Sequence, residues 1–288
     1  MTWVNAILQG ILLGGLYSLF ATGLSLGFGV MRFVNLAHGD LAILAAFMTY
    51  SLSTSLKINP LVALFVVLPG AFAFGYVLQR VIFEQVIGVD PAYQIVATFG
   101  VSIIIQNALL QRYTADTRSL KVGALATKSV TVNKNIGLGW MPMITFASAV
   151  VVLGALSLFL NRTKLGRAFR ATSDDPEAAR LMGIDNRRIY GVALAISLAT
   201  VALAGVLLGA RTSFDPFVGP SRLIYAFEAV IIGGLGSLWG TLAGGVTLGV
   251  AQSLGREIAP QWGELVGHVV FLIVLATRPT GLFGKAQS

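Results

Sequence analysis

The chain has 288 residues, 56% of them hydrophobic and 11% charged, with a mean hydropathy of +0.81, whereas a soluble domain carries about 25% charged residues. No water-soluble interior of this size hides so much apolar surface, so most of it faces lipid. The lack of cysteine removes disulfides, thiolate metal sites and cysteine nucleophiles, and two histidines argue against a multi-histidine metal site. The net charge of +8 lies between apolar runs rather than along one face, which fits membrane topology and not nucleic-acid binding.

A bilayer core takes about 20 apolar residues per helix. Such stretches occur at 5–30, 36–55, 60–78, 92–111, 141–160, 191–210 and 263–277. The first is too long and glycine-rich for a cleaved signal and reads as a transmembrane helix, with Gly10, Gly14, Gly15, Gly23, Gly27 and Gly29 as packing positions. Pro216 and Pro220 read as turn formers in an outer loop. The stretch 223–254 is too long for one straight span and is interrupted at Gly233, Gly234 and Gly236, which predicts two short helices or a re-entrant pair. The expected fold is an all-α polytopic membrane protein, one domain over 1–288, with seven full spans and two short or partial ones.

Two hydrophilic segments punctuate the apolar runs. Residues 112–140 alternate β-formers with turn residues and predict a small external hairpin. That topology leaves Arg112, Arg118, Lys121, Lys128 and Lys134 outside, and puts Arg32, Arg80, the basic residues of 161–190, Arg278 and Lys285 in the cytoplasm. Within 161–190, Asp175 can cap a helix, Pro176 suits its first position, Glu177 favours its positive end and Gly183 can close it in the left-handed region. A short helix at 176–182 follows, carrying Ala178, Ala179, Leu181 and Met182 with Arg180 among them. By capping alone it is either a solvated connector or a docking element.

Polar groups inside the apolar runs are the other candidates. Asn35, His38 and Asp40 open the second segment, where they either cap a helix or touch a watery path. Glu228 either lines the path and meets a substrate ammonium, or pairs with Arg222 or Arg211 at the outer surface. Gly233, Gly234, Gly236, Gly240, Gly244 and Gly245 include spacings of four that suit close helix packing; an unwound stretch here can also border a solute path.

Three segments together carry a resemblance: N-L-A-H-G-D at 35–40, G-R-A-F-R-A-T-S-D-D-P-E-A-A-R-L-M-G-I at 166–184, and A-F-E-A-V-I-I-G-G-L-G-S-L-W-G-T-L-A-G-G at 226–245. In that order they resemble the permease subunits of branched-chain amino acid ABC importers, nearest the H-type of the two paralogues. The resemblance implies that 166–184 holds the coupling helix that sits in a groove of the ATP-binding subunit. It also implies a bacterial inner-membrane location and four partners: a paralogous permease, two ATP-binding subunits and a periplasmic solute-binding protein. The chain has no G-x-x-x-x-G-K-[ST] loop, so ATP and magnesium are expected on the partner ATPases and this chain is expected to be no enzyme. The solute expected is leucine, isoleucine or valine, with urea, short amides or aromatic acids as alternatives. The competing reading is an ion-coupled secondary carrier with Glu228, Asp40 and His38 as a proton relay.

Overall fold

The computed structural model describes residues 2–133 and 136–283, so Lys134 and Lys285 lie outside the described residues. Helix starts follow local chemistry. α1 (Thr2–Met31) and α2 (His38–Leu56) are followed by α3 (Pro60–Val81) and α4 (Pro91–Tyr113). Each of these last two opens with proline at the first helical position and an Asx cap: Asn59 Oδ1 accepts from Leu61 N at 2.9 Å, and Asp90 Oδ1 from Ala92 N at 2.8 Å. The expected hairpin is present, with β1 (Ser129–Asn133) antiparallel to β2 (Ile136–Gly139). α5 (Trp140–Arg162), α6 (Lys164–Asp174) and α7 (Pro176–Leu181) lead into α8 (Asn186–Arg211), then α9 (Gly219–Gly233), α10 (Leu238–Ile258) and α11 (Trp262–Thr277). Pro220 opens α9 rather than sitting in a loop.

α1 and α8 are buried at the centre, while α3, α4 and α5 turn most of their residues outward. Side chains such as Phe65, Ile104 and Val151, 83%, 68% and 68% exposed, make sense only against lipid. The most extensive helix contact joins α1 to α10. A Cβ on Gly14 would lie 2.5 Å from Val246 Cα, and one on Gly249 would lie 2.4 Å from Gly10 O. Gly10-x-x-x-Gly14 therefore faces Gly245-x-x-x-Gly249, and only hydrogen side chains allow that approach.

Among the described residues five helices, α1, α3, α4, α5 and α8, are long and apolar enough to span a bilayer, and the bent pair α9 and α10 makes a sixth. Seven full spans were expected. α2 falls short because His38, Asp40 and a Ser/Thr-rich outer half dilute its hydropathy, and α11 because it has 16 residues. The expected break in 223–254 is real: α9 and α10 meet at 117° across Gly234–Ser237, with Gly234 at φ 99° and Gly236 at φ 79°. Its place in the bundle follows from its contacts. Gly236 lies against Gly29 near the end of α1, and the amides of Leu282 and Phe283 donate to Ile232 O and Gly233 O at 2.8 and 3.1 Å. The glycine turn thus sits at the end of the bundle that carries α6.

Candidate functional site

The segment 161–190, expected to carry the coupling helix, is built from two consecutive helices. α6, which the capping signals did not reveal, is capped by Thr163 Oγ1 accepting from Gly166 N at 2.9 Å. It buries Phe169 and Thr172 and exposes Lys164, Arg167 and Arg170. α7 forms as expected. Asp175 Oδ1 accepts from the amides of Glu177 and Ala178 at 2.9 and 3.0 Å. At the other end Gly183 N donates to Arg180 O and Ile184 N to Ala179 O, both at 3.0 Å, with Gly183 at φ 81°. This is a Schellman closure.

The face that α7 presents differs from the simple expectation of a shared apolar face. Ala179 is 3% exposed and turned into the protein, whereas Leu181 and Met182 are 88% and 83% exposed. Asp175, Pro176, Glu177, Ala178, Arg180 and Gly183 are exposed around them. The segment is also tied to the bundle. Asn186 donates through Nδ2 to Pro176 O at 2.6 Å and accepts from Thr172 Oγ1 at 3.3 Å. Ser173 Oγ donates to Gly29 O, Arg32 Nη2 donates to Ser173 O, and Arg187 pairs with Glu84 beyond α3. A push on α7 therefore reaches α1, α3 and α8 through hydrogen bonds and an ion pair.

Asn35, His38 and Asp40 are all buried. Asn35 Oδ1 accepts from Ala37 N at 3.0 Å, a local turn rather than the expected helix cap, since Ala37 holds the cap position of α2 without a side-chain bond. His38 Nε2 bonds Phe20 O at 2.9 Å. Asp40 reaches across to α4, accepting from Ser102 Oγ at 2.5 Å and from Gln106 Nε2 at 3.0 Å. These contacts pin α2 to α1 and α4. They satisfy the three side chains within the chain, apart from Asn35 Nδ2.

Glu228 is different. It is 4% exposed, and its partner is neither Arg222 nor Arg211. Its Oε1 meets His268 Nδ1 at 2.5 Å, while Oε2 is buried without a partner. Around this pair α1, α9, α10 and α11 bring polar groups together. Tyr17 donates its hydroxyl to Gln252 Oε1 at 2.6 Å, and its ring lies 5.1 Å from that of Tyr225, which stacks on His268 at 6.1 Å. Arg222 covers Tyr225 at 5.8 Å. Arg211 Nη1, Arg222 Nε and Gln252 Nε2 are buried donors without partners. Leaving each such buried group unpaired costs about 1–3 kcal/mol.

The sequence offered Glu228 but not His268, Gln252 or Tyr17. One signal was available: His268 is an ionisable side chain well inside the last apolar run, beyond Glu264 at its start, and an intramembrane ionisable group calls for a partner in another span.

The profile of the family described as branched-chain amino acid transport system / permease component matches residues 6–275. The chain is similar to the high-affinity branched-chain amino acid transport system permease protein BraD of Pseudomonas aeruginosa, 28% identical over 99% of this chain and 97% of that protein. It is similar to LivH of Escherichia coli K12, a permease protein of the same kind, at 25% identity over 99% and 96% of the two chains. A segment covering 46% of this chain and 32% of the other is 34% identical to LivM, a second permease protein of that system in Escherichia coli K12.

Proposed function

The chain belongs to the family of branched-chain amino acid transport permeases, and from that membership we propose that it passes leucine, isoleucine and valine, or a related small polar solute, into the cytoplasm. It is the multi-pass permease subunit of an ATP-binding-cassette importer. In this reading it pairs with a paralogous permease in the bacterial inner membrane. ATP and magnesium are held by two ATPase subunits, and a periplasmic binding protein delivers the solute. Urea, short amides and aromatic acids remain the alternative cargo.

The observation that carries the reading is α7. A helix of six residues capped at both ends, outside the spans, presents Leu181 and Met182 to solvent. Burying each of them against a partner is worth about 1.5–3 kcal/mol. They are the groups that enter the ATPase groove, and the bonds through Asn186, Ser173 and Arg187 carry the movement onward. At the far end the Glu228 cluster offers a carboxylate to the solute ammonium and Arg211 and Arg222 to its carboxylate. An ion-coupled carrier has less support. Among the described residues His38, Asp40 and Glu228 each bond to different partners, and no hydrogen-bonded chain joins them.

The test is Leu181→Glu combined with Met182→Glu in the complete importer. Both residues are exposed, so the permease should insert and pair with its partner. ATPase subunits should be lost on purification, and uptake with them. Normal co-purification and normal uptake would refute the docking role.

A further inference from the structure

We propose that the outward face of α9 and α11 is the surface on which the paralogous permease packs, closing over the Glu228–His268 pair. The pairing is that of the proposed function above, on which this assignment rests. His268 lies six residues from the start of α11 and nine from its end, inside an apolar run, and its side chain is 40% exposed. An ionisable side chain half open to hydrocarbon is costly, and such groups face a protein neighbour or water instead. Glu228 meets the ring at Nδ1, and among the described residues nothing covers its exposed part.

The side chains around the pair suit a helix interface. α9 and α11 both pack against α10, and the pair bridges them. Ile224 and Phe227 of α9 stand exposed beside Glu228, and Leu265 and Leu272 of α11 stand exposed about one turn to either side of His268. In a bilayer, polar side chains join helices while apolar ones pack around them. Here the polar pair sits between two lips of large apolar groups, so a helix face laid across both lips takes the histidine away from lipid.

Other outward faces lack this combination. No exposed residue from Val62 to Val77 of α3, or from Ala147 to Leu158 of α5, carries a polar side chain, as contact with lipid requires. α4 exposes Asn107, but this amide is uncharged and its Nδ2 already donates to Ile103 O at 2.9 Å. The occupant follows from depth. ATPase subunits and a periplasmic binding protein lie outside the bilayer, so of the importer's partners only a second permease reaches His268. A phospholipid does not suit the histidine, because its polar headgroup stays outside the hydrocarbon core.

The test places a photoreactive benzoylphenylalanine at Phe227 or Leu272, and for comparison at Phe65 or Val151, in the complete importer irradiated in native membranes. Phe227 and Leu272 should yield adducts with the paralogous permease at least tenfold above those from Phe65 and Val151. A second readout covers a probe that disturbs packing. A fluorophore on Phe227→Cys or Leu272→Cys should be quenched by spin-labelled lipid at least threefold less in the complete importer than in this chain alone, while Phe65→Cys should be quenched equally in both. Pairing is read separately, from co-elution of the two permeases. A chain that elutes without a partner permease would overturn the pairing and the assigned face together. Co-elution with capture from Phe65 or Val151 instead, or without protection at Phe227 and Leu272, would overturn the face alone. Capture of a second copy of this chain at Phe227 or Leu272 would overturn the paralogue as its occupant.

Discussion

Neutralising Glu228 should slow uptake without disturbing assembly. The side chain is 4% exposed and holds one hydrogen bond, to His268 Nδ1, with its second oxygen free. Glu228→Gln keeps the size and shape and removes the charge. A hydrogen bond to a charged group is worth about 1.5–3 kcal/mol, so a solute ammonium that meets Oε2 during passage loses that much at this point of the path. At 1.4 kcal/mol per tenfold, initial uptake by the complete importer in proteoliposomes should fall about 10- to 100-fold. The partner substitution separates structure from transport. If the carboxylate serves only to hold His268, Glu228→Gln with His268→Gln should recover, because both halves of the buried pair are then neutral. If it meets the solute, the double variant should be as slow as Glu228→Gln alone. Uptake by Glu228→Gln within threefold of wild type, with normal subunit assembly, would remove the cluster from the path.

Gly245→Leu would place a Cβ 2.3 Å from Ser18 Oγ and 2.8 Å from Gly14 O, so α1 and α10 must separate. A loss of about 1–3 kcal/mol or more should appear as a lower melting temperature in detergent, with Gly154→Leu, where a Cβ meets nothing within 4 Å, as the unaffected control. Asp40→Leu removes the acceptor of both Ser102 and Gln106; hydrogen exchange in α4 should rise, and much less in Asp40→Asn, which keeps one acceptor. Cysteine at Lys128 should react with a membrane-impermeant thiol reagent applied from the periplasm and cysteine at Arg187 should not. Both positions are exposed, so the difference reports sidedness rather than burial, and the reverse pattern would invert the topology. Ala179→Glu should lower the stability of the permease itself, because Ala179 is 3% exposed, whereas Leu181→Ala should leave its melting temperature unchanged and weaken ATPase retention about 10- to 100-fold, from about 0.8 kcal/mol per lost methylene.

What could be read from the sequence was what short-range chemistry decides. Asn59-Pro60, Asp90-Pro91 and Asp175-Pro176 each fix a helix start within two residues of chain, and Gly183 fixes the end of α7 through one backbone angle. The break between α9 and α10 was legible for the same reason, since Gly234 and Gly236 take positive φ. Its depth was not, because depth is set by the contact with Gly29, two hundred residues earlier in the chain. The face of α7 was likewise hidden. Six residues make fewer than two turns, too few for an apolar period to tell Ala179 from Leu181, and the choice is made by the closure that packs Ile184 back over Ala179. Glu228 shows the same division at the candidate site. Its side chain is costly in an apolar run wherever it points, which marks it as a site from sequence. Whether it meets Arg222, about 9 Å away along its own helix by spacing alone, or His268 on α11 is a tertiary matter. The bundle chose the histidine and turned the guanidinium of Arg222 onto Tyr225. That leaves cation donors and a carboxylate oxygen unpaired in one cluster, an arrangement that local pairing of Glu228 with Arg222 would have consumed.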